Sequence, residues 1–237
     1  MKDPIQAIPL ENLAIAFLPV AVVVVVLYRW SIGGRTPLYA VARMLVQLLL
    51  IGYVLAFIFE TDNSLVVLSV LTGMLLIASW IALRPLKEKH FSKALGAIGL
   101  GGVTTLVLIT RGVMDFEPWY DPQKMIPLAG MIFAASMNAV SLAGERFYAE
   151  ADRSVPYDEA RRTALSAALI PITNTLFAVG LVSLPGMMTG QILSGVDPLI
   201  AARYQIMVMC MLFGSSGISA ACYLAWVRNT DRDGQAL

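Results

Sequence analysis

Seven stretches of mainly apolar residues, each about 20 long, follow one another through this chain and leave it few ways to fold. They run approximately from Glu11 to Tyr28, Leu38 to Phe59, Leu65 to Leu83, Lys93 to Thr110, Met125 to Gly144, Leu165 to Leu184, and Tyr204 to Val227. A helix rises about 1.5 Å per residue, so each stretch suffices to cross about 30 Å of hydrocarbon. Lipid offers no partner to backbone N–H and C=O groups, and the runs are too long and continuous for barrel strands, so helix is the expected state. Of the 237 residues, 58% are hydrophobic and 14% charged, and the mean hydropathy is +0.73. A water-soluble domain cannot show such a surface. The expectation is an all-α, polytopic transmembrane bundle of about seven spans, a single domain over residues 1–237, with Pro19 and Pro171 accommodated as kinks.

Orientation follows from the Lys and Arg residues of the connections. Twelve of them, from Arg29 and Arg35 through Arg84, Lys87 and Arg146 to Arg228 and Arg232, fall on one alternating set of connections, and only Lys2, Arg111, Lys124 and Arg203 on the other. The richer side is cytosolic, which puts the amino terminus outside and the carboxyl terminus in the cytosol of an inner-membrane protein. The opening segment does not read as a cleavable signal: Lys2 is offset by Asp3, and no small-x-small site follows an apolar run too long for a signal core. A net charge of +1 gives no basic surplus to attract nucleic acid. Cys210 and Cys222 are about three helical turns apart, too far for a disulfide. The longest cytosolic connection, about residues 145–164, is too short for a domain and reads as one or two amphipathic helices with Tyr157, Ala160 and Ala164 on one face.

No enzyme constellation is present. His90, the single histidine, lies in a basic loop, and there is no G-x-x-x-x-G-K-[ST] phosphate loop. Polar residues inside the spans carry more information, because a charge at mid-membrane is costly and faces protein or a watery cavity. Arg43 and Gln47 share a helix face, and Arg43 is also near enough to the cytosolic end to snorkel. Asn138 and Asn174 either line a polar route or simply bond neighbouring helices. Gly96, Gly99, Gly101 and Gly102 read as a close-packing stripe. Asp115, Glu117 and Asp121 offer oxygen ligands to a hard cation, or form a solvated loop beside the interfacial aromatics Trp119 and Tyr120. The twelve methionines, Met187 and Met188 among them, offer thioethers to a soft metal or flexible packing.

The run Leu184-Pro-Gly-Met-Met-Thr-Gly-Gln-Ile-Leu is the most unusual. Pro185, Gly186 and Gly190 are expected to end the sixth helix, with Gly186 in a backbone-limited turn, and Asp197-Pro198 to make a second break. The broken external segment, about residues 185–203, then contains a short apolar piece that cannot cross. Either it is re-entrant and contacts a translocation route through Met187, Met188 and Gln191, or it is an interfacial turn.

IPLAGM (Ile126 to Met131), SMNAVSL (Ser136 to Leu142), AALIP (Ala167 to Pro171), VGLVSLPGMMTGQIL (Val179 to Leu193), GVDPL (Gly195 to Leu199) and YQIMV (Tyr204 to Val208) together resemble the FetB-type family of membrane permeases. The resemblance implies the transmembrane half of an ABC transporter. Such a half pairs with itself and docks two copies of a separate ATPase, which hold the ATP and magnesium; no cofactor is expected on this chain. Docking is implied at the connection before AALIP. There this chain reads Arg153-Ser-Val-Pro-Tyr-Asp-Glu-Ala-Arg in place of a longer Leu-Gly-Ala-Thr-Pro segment, so Pro156, Glu159 and Ala160 match, flanked by Asp158 and Arg161. Export of iron or a related metal is the implied activity, with another cargo such as a nucleotide sugar as the alternative within the family. An ATPase-independent carrier or channel is a different class, disfavoured by the scarcity of intramembrane acids, and a non-transporting scaffold is a third.

Overall fold

The computed structural model describes residues 8–31, 34–60 and 63–234. Among them the chain is helical apart from turns and one isolated bridge between Val179 and Ser183. It divides into two compact units, Met1–Glu60 and Thr61–Leu237. Lys2 lies outside the described residues.

The first unit holds α1 (Leu10–Ile15), α2 (Leu18–Arg29) and α3 (Arg35–Phe59). The first expected span is thus interrupted. Pro19 has no N–H to give a preceding carbonyl and sits without loss in a first turn; the chain turns at Ala16 and Phe17 and restarts with Pro19 in the first turn of α2. No residue of α2 is buried.

The second unit contains α4 (Ser64–Ala82), α5 (Phe91–Val107), a π-helical turn (Leu108–Val113) that continues α5, α6 (Pro122–Ala151), α7 (Tyr157–Ala178), α8 (Gly186–Leu193) and α9 (Pro198–Gly234). Its core lies where α5, α6 and α9 meet, around the fully buried Ile98, Ile132, Phe147, Tyr223 and Leu224. The glycine stripe of α5 makes this approach possible. A Cβ on Gly96 would stand 2.8 Å from the Trp226 ring, one on Gly102 2.9 Å from Phe133, and one on Gly101 would overlap Ser219. α4 is buried along Val67, Leu71, Ala78 and Ala82, one helical face. α7 packs through a stripe of small residues, Ala160, Ala164 and Ala168, at four-residue spacing.

Among the described residues, six helical stretches are long and apolar enough to cross a membrane: Glu11–Arg29, Arg35–Phe59, Ser64–Ala82, Phe91–Val113, Pro122–Ala151 and Pro198–Val227. The chain is therefore an all-helical, multi-pass membrane protein. α7 has the length, 22 residues, but Asp158, Glu159, Arg161 and Arg162 occupy its first two turns.

The boundaries differ from expectation in three further places. The expected span Leu165 to Leu184 does not exist as one helix: α7 ends at Ala178, where Val179 turns extended, Gly180 takes φ +82° and the Val179–Ser183 bridge closes the turn. The break therefore precedes Pro185, which caps α8, while Gly190 lies inside that helix. Residues 145–164 are not a separate element either, because α6 runs on to Ala151 and α7 starts at Tyr157, leaving only residues 152–156 between them. Lastly, α9 begins at Pro198 rather than Tyr204, since Asp197 Oδ1 accepts from Leu199 N at 2.8 Å and supplies the first-turn partner.

Candidate functional site

Two adjoining cavities, of about 470 and 440 Å³, open where the π-turn, the start of α6, α8 and the start of α9 converge. They share Met114, Phe116, Lys124 and Tyr204. The start of α6 is fixed by Asp121, whose Oδ1 accepts from Gln123 N at 3.0 Å. Its other oxygen stands 2.7 Å from Lys124 Nζ, and Lys124 lies 5.0 Å from the centre of the Phe116 ring. Phe116 is buried, its N–H donating to the Thr110 carbonyl. This arrangement holds one wall of both cavities in place.

The first cavity carries Asp115 and Glu117 against Lys124 and Arg203, two charges of each sign. The second is more apolar: Met187 and Gln191, one turn apart on α8, face Met114, Met131 and Pro127. Gln191 Oε1 is buried and accepts no hydrogen bond among the described residues, so an acceptor waits in a wall of thioethers and hydrocarbon. Such a site can take a cargo that offers a donor or a positive charge.

The residues expected at a site fall into several groups. Met187 and Gln191 come together here, with Asp115 and Glu117 on the adjoining cavity. Asp121 is engaged with the α6 terminus and Lys124, and among the described residues no three His, Cys, Asp or Glu form a group that could hold a metal. Met188 lines a separate cavity. Asn138 lines a small cleft between α6 and α7 with Pro171, Thr175 and Ser216, and Asn174 is exposed outside its lining. Arg43 and Gln47 pair on α3: with the amide oxygen turned toward the guanidinium, it accepts from Nε at 3.0 Å. Gly186 is not backbone-limited, since a Cβ there meets nothing within 4 Å and only Gly180 in that turn has a left-handed φ. Tyr204, Met114 and Met131 escape sequence reasoning because they come from three distant elements. In the sequence Met114 only precedes the acidic stretch, Met131 closes IPLAGM and Tyr204 opens YQIMV, with nothing to join the three.

At the far end of α6 a second constellation surrounds the α6–α7 turn. Tyr157 Oη donates to the Leu224 carbonyl at 2.9 Å and its ring meets Phe147 edge-on at 5.8 Å. Arg161 lies over the Tyr157 ring, 5.4 Å from its centre, and pairs with Asp158 at 3.4 Å. Arg146 pairs with the buried Glu150 at 2.5 Å. Lys87, from the α4–α5 turn, forms an ion pair with Asp152, which holds its ammonium above the ordinary lysine range. Pro156 caps α7 and Ala160 is buried, while Asp158 and Glu159 stay exposed. The turn is thus pinned from three sides and presents a charged rim, Asp158 and Glu159 beside the exposed Arg153 and Arg162.

The model of the uncharacterised protein family UPF0014 matches residues 10–156 and 151–230. The chain belongs to this family. Among UPF0014 relatives, it is 39% identical over 210 residues to the UPF0014 membrane protein slr1647 of Synechocystis, covering 80% of each chain. It is 35% identical to the Escherichia coli protein named "Probable iron export permease protein FetB", covering 91% of this chain and 90% of that one. It is 30% identical to the Arabidopsis thaliana protein ALUMINUM SENSITIVE 3, covering 80% and 75%. No solved structure matches the chain. The two UPF0014 matches overlap at residues 151–156, the end of α6 and the α6–α7 turn.

Proposed function

We propose that this chain is the permease subunit of an ATP-driven exporter whose cargo is iron or a related metal. Two copies pair in the inner membrane and engage two copies of a separate ATPase, which binds the ATP and magnesium. The observation that carries the reading is the likeness to the Escherichia coli permease across nine-tenths of both chains. In this reading residues 1–237 form one transmembrane domain crossed seven times, with α7 as the sixth crossing, the amino terminus outside and the carboxyl terminus in the cytosol. The basic α4–α5 turn and the α6–α7 turn, tied by Lys87 and Asp152, then lie in the cytosol, in keeping with the positive-inside rule. Asp158, Glu159 and Arg161 face the ATPase, and the cavities by Met187 and Gln191 open at the outer end of the route.

Sealed vesicles holding this chain and its cognate ATPase are expected to accumulate iron only with ATP; equal uptake without ATP rejects the scheme. Glu159→Lys reverses a charge on the exposed rim and is expected to weaken recovery of the ATPase in a pull-down while membrane insertion stays normal. Unchanged recovery removes the α6–α7 turn from the docking surface.

A further inference from the structure

A third cavity, of about 360 Å³, lies between the end of α7, α8 and α9, and α8 lines it through Met188 instead of Met187 and Gln191. Three of its lining residues carry sulfur: Met188 from α8, and Met209 and Cys210 from α9. Gln205, one turn before Met209, lines the same space. It is 6% exposed, and its Oε1 accepts no hydrogen bond among the described residues. No carboxylate, histidine, lysine or arginine contributes to the wall.

We infer that this cavity is a binding site for a soft monovalent cation, of the copper(I) or silver(I) class. Thiolate and thioether ligands select such ions over hard or borderline ones. Charge gives the second reason. Cys210 is exposed at the edge of this apolar wall; a monovalent cation bound to its thiolate leaves the site neutral, whereas a divalent one leaves a positive charge with no carboxylate in the wall to meet it. On binding, the Cys210 S–H bond breaks, the sulfur–metal bond forms and the proton leaves to water, with no change of oxidation state. Met188 and Met209 complete a three-sulfur set, and Gln205 Oε1 supplies a neutral oxygen otherwise left unsatisfied. The inference does not depend on the cargo proposed above.

The test uses the full chain in detergent with Cys222→Ser, so that Cys210 is the only thiol, and without any ATPase. The rate of Cys210 alkylation by a maleimide is followed with and without one equivalent of silver(I), buffered by free methionine. Silver is expected to slow alkylation at least tenfold, and ferrous iron less than twofold. Met188→Leu with Met209→Leu, which keeps side-chain volume, is expected to leave the metal-free rate unchanged and to reduce the silver effect to under twofold. Full protection in the double variant means that the thiol alone captures the ion, and overturns the site. So does an absence of protection in the parent, or equal protection by ferrous iron. Because no flux is measured, failure here leaves the export reading standing, and failure of export leaves this result standing.

Discussion

The helices of the first unit and those at the centre of the second are both apolar, yet they differ in opposite senses. The most apolar windows of Glu11–Arg29 and Arg35–Phe59 have a mean hydropathy of 2.2 and are 0% and 6% buried, whereas those of Phe91–Val113, Pro122–Ala151 and Pro198–Val227 have 1.6 and are 50% buried. In water the buried helix is the apolar one. In lipid the hydrocarbon is as apolar as leucine, so helices pack through small and polar residues rather than through hydrophobicity. The runs of Val and Leu in α2 and α3 stay largely exposed within their unit, while Gly101 against Ser219 and the Ala160, Ala164 and Ala168 stripe mark where helix meets helix.

That contrast is easiest to break with glycines. Gly101→Leu forces a side chain into the Ser219 backbone and is expected to cost about 3 kcal/mol or more, read as a large fall in detergent melting temperature or as lost expression. Gly52→Leu on α3, where a Cβ meets nothing within 4 Å, is expected to leave melting unchanged. A comparable loss at Gly52 would show that α3 has a packing partner there. A smaller effect is expected at the α6–α7 turn. Tyr157→Phe removes the bond to the Leu224 carbonyl and should lower stability by about 1 kcal/mol, which sharpens the assignment of that turn to the packed region. Lys87→Ala should have the smallest effect, because the pair with Asp152 is solvent-exposed and screened by salt. Its sign is fixed: the Lys87 ammonium is held above its ordinary value, so any stabilisation is present below the ordinary lysine pKa and disappears as pH rises through the raised one. Melting curves of wild type and variant should therefore converge above that range.

The multi-pass helical character was legible because lipid imposes a length and a composition that can be counted along the chain. The glycine stripe of α5 was legible for the same reason, as a local pattern with one physical use. The end of α7 was less so. Residues Val179 to Leu184 are as apolar as the helix before them, and only the left-handed φ of Gly180 separates turn from span. Pro127 inside α6 and the split before Pro19 depend on which neighbours receive a freed carbonyl, and that is a tertiary matter. The cavities were legible on α8, where Met187 and Gln191 stand in one unusual motif. They were illegible at Met114, Met131 and Tyr204, which meet only through the packing of separate elements.

α6 is a single helix of 30 residues, about 45 Å long, with the Met187–Gln191 cavity against one end and the pinned α6–α7 turn at the other. Any coupling carried along such a shared rod is reciprocal by linkage. If a protein gripping the turn changes how firmly an occupant is held at the opposite tip, the occupant must change that protein's grip by the same factor, so cargo would act as an effector of its own motor.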